Sequence, residues 1–175
     1  MPFDSDRPQG AMGTAATQVA GEQAPSDGMR ARILLADDDD NVRGLFQRLL
    51  ALQGWEVVAA RNGREAVDAW PTDGTPFDLV ILDMNMPVMS GPAAYDELRR
   101  RHPEMVVLFV SGYLEEANYR EVLLKGKVPF LAKPFTPQQL VATATALLAH
   151  ARQRGDGLSA WPASGLARAA AGAAL

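Results

Sequence analysis

The chain has 175 residues, 47% of them hydrophobic, a formal net charge of −4 and no cysteine. That length suits one ordinary domain rather than two, and the acidic excess argues against a nucleic-acid-binding face, which shows as a basic surplus or stripe. Without cysteine, disulfides, thiolate metal sites and a cysteine nucleophile are excluded, and two histidines, His102 and His150, are too few for a multi-histidine metal centre.

The apolar runs fall short of the roughly 20 residues that a helix needs to cross a bilayer. The N-terminal stretch carries Asp4 and Asp6 and lacks a basic start followed by an apolar segment, so it does not read as a secretory signal. The expected compartment is the cytoplasm. Residues 1–29 are rich in Gly, Ala, Pro, Ser and Asp without apolar periodicity and read as a disordered leader, with Met29 an alternative initiator. Residues 152–175, dominated by Ala, Gly and Arg, read as a tail, disordered or a short helix, unable to build a core of its own.

Between these flanks, strand and helix signals alternate. Ile33-Leu34-Leu35-Ala36 is a short apolar run ending in acid, as in a strand buried on both faces. Val42, Leu45, Phe46 and Leu49 then recur at helical spacing, and Gly54 closes that helix. Trp55-Glu56-Val57-Val58 predicts a second strand. Asn62-Gly63 opens a helix that runs toward Trp70 and stops at Pro71.

Leu79-Val80-Ile81-Leu82 is the strongest strand signal and again ends in aspartate. Ser90 caps a third helix that reaches Arg101 and stops at His102-Pro103. Met105 to Val110 predicts a fourth strand, Glu115 to Lys125 a fourth helix ended by Gly126, and Val128 to Leu131 a fifth strand. Thr136-Pro137-Gln138-Gln139 is a capping box with proline at the first helical position. It starts a last helix with Leu140, Val141, Ala144, Leu147 and Leu148 on one face.

Five strands alternating with five helices predict an α/β fold, a doubly wound parallel sheet. Ligands of such sheets sit beyond the carboxyl ends of the strands. The polar residues there are Asp37 and Asp38 after the first strand, Asp83 after the third, Ser111 after the fourth and Lys133 after the fifth. Clustered carboxylates raise each other's pKa unless a cation intervenes. Oxygen ligands on adjacent loops suit a hard cation such as Mg²⁺. An ammonium, a hydroxyl donor and an exposed carboxylate beside it equip the site for phosphoryl transfer, with the carboxylate as nucleophile.

Taken singly these residues are bland. Four consecutive aspartates can be a solvated charge run, and Asp39 and Asp40 fit that reading, with Asp40 capping the first helix. Asp83 alone is an ordinary loop acid, Ser111-Gly112 an ordinary turn pair and Lys133 an ordinary surface lysine. Met84, Met86 and Met89 read as loop packing, Trp55 and Trp70 as packing residues, and His102 as a helix-end residue.

The acidic pair in ILLADDDDNVR, the run DLVILDMNMPVMSG, the stretch VVLFVSGY and the triplet Lys133-Pro134-Phe135 together resemble the receiver domain of response regulators, in order over residues 30–151. The resemblance implies the flavodoxin-like, CheY-like strand order 2-1-3-4-5. It makes Asp83 the phosphoacceptor, and gives Mg²⁺ to Asp37, Asp38, Asp83 and the backbone carbonyl of Asn85. Ser111 would hydrogen-bond the phosphoryl group, Lys133 would bind it, and the Lys133-Pro134 bond would be cis. Phe130 takes the aromatic switch position, without the hydroxyl of the tyrosine often found there. Gly112 is small enough to leave the acceptor open, and Asn85 and Tyr113 overhang it.

The implied partners are a sensor histidine kinase or a histidine phosphotransfer protein and a downstream protein target, with no nucleic acid and no membrane. The chain would act as a monomer or a phosphorylation-dependent dimer, with no output domain, catalysing at most its own phosphorylation and dephosphorylation. The wording SGY and KPF is most similar to receivers of hybrid histidine kinases. Two alternatives remain: a phosphatase-like hydrolase with an aspartyl nucleophile, disfavoured because Asn85 stands where a second aspartate acts as acid/base, and an interaction module that works without phosphorylation.

Overall fold

The computed structural model describes residues 30–112 and 128–154. The helix expected over Glu115 to Lys125, Tyr113, and the two flanking stretches 1–29 and 155–175 lie outside the described residues. Five strands form one sheet: β1 (Arg32–Ala36), β2 (Glu56–Ala60), β3 (Leu79–Asp83), β4 (Val107–Ser111) and β5 (Phe130–Ala132). Their order is β2-β1-β3-β4-β5, and every pairing is parallel. This is the doubly wound order expected from the sequence.

Successive residues of a strand point to opposite faces, and the core divides accordingly. Leu34, Ala36, Val80, Leu82, Val107 and Phe109 face α2 (Gly63–Asp68) and α3 (Gly91–Arg101). Ile33, Leu35, Leu79, Ile81, Leu108 and Val110 face α1 (Asp40–Ala51) and α4 (Pro137–Arg154). With helices on both faces, β3 and β4 are buried at all five positions, which explains their unbroken apolar runs.

The helix ends follow local chemistry. Asp39, not Asp40, caps α1: its side chain accepts from the backbone N–H groups of Asn41 and Val42, and Asp40 is already helical and pairs with Arg43. Gly54, at φ +80, supplies the left-handed residue after α1. The last helix opens with the reciprocal bonds of a capping box, Gln139 N–H to Thr136 Oγ1 at 3.2 Å and Thr136 N–H to Gln139 Oε1 at 2.7 Å.

Several details differ from expectation, among them β2, which runs over Glu56–Ala60 rather than from Trp55 to Val58. Leu50, not Leu45, completes the buried face of α1, and Leu45 is 49% exposed. Helix α2 stops at Asp68 because Trp70 turns into a stack on His102, with ring centroids 3.9 Å apart, and meets Phe77 edge-on. Strands β4 and β5 begin two residues later than predicted: the β3–β4 ladder opens with Val80 opposite Val107 and the β4–β5 ladder with Phe109 opposite Phe130. Trp55, Met84 and Met86 are buried packing residues, as read from the sequence.

Candidate functional site

The sheet register brings the polar residues together. Ala36 lies opposite Leu82, so Asp37 emerges beside Asp83, while Asp83 pairs with Val110 and Ser111 with Ala132. Lys133 follows directly, and its backbone N–H donates to the Ser111 carbonyl at 2.7 Å. Four strand ends therefore meet at the carboxyl edge, where a doubly wound sheet offers its crevice.

Lys133 is the hub. Its Nζ lies 2.6 Å from Asp83 Oδ1 and 3.1 Å from Asp37 Oδ2. The other Asp83 oxygen accepts the Asn85 backbone N–H at 2.8 Å, and Asp37 Oδ1 accepts that of Asp39 at 3.0 Å. Both carboxylates are thus oriented by backbone donors on one side and shared by one ammonium on the other. Asp37, Asp83 and Ser111 are buried, whereas Asp38 and Asn85 are exposed. The Lys133-Pro134 bond is cis, and Phe135 stacks on Phe46 of α1 with centroids 5.4 Å apart.

The electrostatics follow from this packing. Burial pushes the Asp37 carboxyl above the ordinary carboxylate range, outweighing the Lys133 charge and the Asp39 N–H that favour ionisation. For Lys133, burial is the largest single effect and lowers the pKa. The hydrogen bond from its ammonium to Asp83 and the charges of Asp83 and Asp37 together outweigh it and raise the net value. Nearby, Arg43 holds the exposed Asp40 carboxyl below its usual range.

Among the described residues, no group of three or more His, Asp or Glu side chains is already gathered as a metal cage. The donors nevertheless fit a hard divalent cation. Asp37 and Asp83 are adjacent, charged-oxygen donors that need a cation, and Asp38 is exposed beside them. Mg²⁺ needs only one or two carboxylates because it keeps several waters.

The structure brings Asp37, Asp83 and Lys133 into direct contact and sets Ser111 at the neighbouring strand end. Phe130 is partly buried on β5 and packs against the core cluster that includes Phe109. A Cβ built on Gly112 meets nothing within 4 Å among the described residues. Sequence reasoning missed Arg43, whose Nη1 donates to the Asp37 carbonyl at 2.8 Å. The available signal was its place three residues after Asp40, on the same helical face. It also missed why Gly91 is glycine: a Cβ there would lie 2.1 Å from the Asp83 carbonyl oxygen.

Comparisons with known proteins agree with this fold. The family model described as the response regulator receiver domain matches residues 33–145. The chain is 38% identical over 134 residues to the sensor kinase CckA of Brucella abortus, covering 77% of this chain and 14% of that protein. It is 36% identical over 125 residues to the transcriptional regulatory protein PrrA of Mycobacterium tuberculosis, covering 71% and 52%. The chain thus spans no more than about half the length of these relatives. Among solved structures, a CheY-like receiver domain protein of Methanospirillum hungatei superposes with a TM-score of 0.64 at 25% identity, over 71% of this chain and 98% of that one. A receiver domain protein of Clostridium thermocellum gives 0.61 at 29% identity, over 71% and 96%. Sheet order and matched span agree: the chain belongs to the response regulator receiver family of two-component signalling proteins.

Proposed function

We propose that the domain accepts a phosphoryl group on Asp83 and thereby switches its protein contacts. The observation that carries this reading is the Lys133 ammonium shared between Asp83 and Asp37 at the crevice of the sheet. An oxygen of Asp83 attacks the phosphorus of a phosphohistidine or a small phosphodonor. The bond from phosphorus to the leaving group breaks, and an acyl phosphate forms. Lys133 then has a phosphoryl oxygen to neutralise, and the Ser111 hydroxyl donates to another. Positioning and charge stabilisation of this kind are most of the catalysis in phosphoryl transfer.

Asp37, Asp38, Asp83 and the Asn85 carbonyl would hold Mg²⁺. When bound, the ion neutralises developing charge on the phosphoryl oxygens. Phosphorylation and Mg²⁺ are general features of the family. Phe130, paired with Phe109 two residues before Ser111, would respond when Ser111 moves toward the phosphoryl group. The result is a shift between two surface states rather than turnover of an outside substrate.

Two output routes fit. Similarity to part of a sensor kinase favours a relay, in which a histidine kinase or a histidine phosphotransfer protein exchanges the phosphoryl group with Asp83. Similarity to transcriptional regulators fits a switch that acts through a downstream partner. In either role the domain catalyses at most its own phosphorylation and dephosphorylation.

The test is incubation with Mg²⁺ and a small phosphodonor such as acetyl phosphate, followed by intact mass. One added phosphoryl group that requires Mg²⁺ supports the reading. An unmodified chain, together with no spectral change on adding Mg²⁺ and BeF₃⁻, supports the phosphorylation-independent module instead.

A further inference from the structure

The turn from β1 into α1 carries four aspartates in succession, Asp37 to Asp40, and like charges so close favour opening the turn. Arg43 opposes this from the first turn of α1. Helical side chains lean toward the N-terminus of their own helix, and the Arg43 guanidinium folds back in that direction. One nitrogen, Nη1, donates to the Asp37 carbonyl at 2.8 Å, and the other, Nη2, pairs with the Asp40 carboxylate. The side chain is only 12% exposed. The fork therefore ties the last residue before the acidic loop turns to the first residue of the helix. Asp37 and Asp38 share the peptide whose carbonyl it grips, so the grip fixes both.

We propose that Arg43 is a positioning residue, whose fork holds the Asp37 carbonyl and the Asp40 carboxylate together and so sets the orientation in which Asp37 and Asp38 meet a divalent cation. This rests on the metal reading of the site above. Two physical effects of Arg43 have opposite signs. Its positive charge repels a cation, so charge alone makes its removal tighten Mg²⁺ binding. Its fork orients the ligands, so positioning makes its removal weaken binding. Residues that orient metal ligands are typically worth about 10–100-fold in affinity. A lysine keeps the charge but replaces the planar fork by a single point.

The experiment is a Mg²⁺ titration of the thermal midpoint, beside an EDTA baseline, for the wild-type chain and the variants Arg43→Lys, Arg43→Gln and Asp40→Asn. Stabilisation by a ligand reports its affinity. Both Arg43 variants are expected to bind Mg²⁺ about tenfold more weakly, with the Mg²⁺-dependent increment falling while the EDTA midpoint falls less. Asp40→Asn, which leaves the bond to the Asp37 carbonyl, is expected to lose a smaller part of the increment. Unchanged binding in Arg43→Lys, tighter binding in Arg43→Gln, or equal losses with and without Mg²⁺ overturn the inference. If an Arg43 variant does not fold, a full wild-type increment in Asp40→Asn overturns it. A wild-type chain with no Mg²⁺ increment overturns the metal reading, and this inference with it.

Discussion

Gly91 packs against the backbone of Asp83 so closely that a Cβ would lie 2.1 Å from the Asp83 carbonyl oxygen. The Gly91 N–H also donates to the Met84 carbonyl at 3.1 Å. The start of α3 therefore braces the strand end that carries the acceptor. Gly91→Ala has to move that backbone, and overpacking of this kind costs about 1–3 kcal/mol. The unfolding free energy from urea melts is expected to fall by that amount, and the folded fraction to accept phosphate more slowly than wild type.

Val88 occupies the centre of a three-residue turn in the same loop, at φ +67, with the Met89 N–H donating to the Pro87 carbonyl at 2.7 Å. Left-handed geometry is costly for a β-branched residue, and the side chain is 83% exposed, so packing offsets little of that cost. Glycine adopts positive φ without the Cβ clash. Val88→Gly is expected to raise stability by about 1 kcal/mol, read as a higher urea midpoint with an unchanged slope.

Lys133 stabilises the fold as a cation between two carboxylates. Its raised folded-state pKa means that this stability is fully present below the ordinary lysine value and disappears as pH rises through the folded value above it. Lys133→Met is expected to cost about 2 kcal/mol at neutral pH, less than a fully buried pair because the side chain is 29% exposed. Paired urea melts should show a constant difference up to about pH 10 that narrows above it.

Asp37 behaves in the opposite sense. Its pKa is raised by burial, so the metal-free protein loses stability as pH rises from the ordinary carboxylate range through the folded value, and the loss persists above it. Asp37→Asn removes that cost while keeping an oxygen for Lys133. Without metal, the variant is expected to melt above wild type at pH 7 and to converge with it below about pH 4. In Mg²⁺ the order is expected to reverse, because the variant keeps fewer carboxylate ligands and gains less than the wild-type chain.

The sheet and its strand-end residues were legible because each strand signal is strong by itself. The run Leu79–Asp83 is buried at every position, and Asp37, Asp83 and Lys133 meet as the parallel order requires. What escaped the sequence depends on backbone geometry or on neighbours. Choosing Leu50 over Leu45 needs the partners of α1, including Phe135 stacked on Phe46. Arg43 grips a carbonyl, and carbonyls carry no sequence signal. Gly91 answers a close approach by the Asp83 backbone that only the folded loop creates. Asp39 and Asp40 exchanged roles because capping turns on a single residue of helix phase.

Borohydride trapping followed by peptide mass mapping identifies the residue that carries the phosphoryl group, which is expected to be Asp83. An acyl phosphate on an aspartate is reduced to homoserine, which marks the residue that carried it. After incubation with Mg²⁺ and acetyl phosphate, homoserine is expected at position 83 alone, and none is expected in Asp83→Asn. Homoserine at position 37 or 38, or the same yield in Asp83→Asn, would show that another residue is the phosphoacceptor.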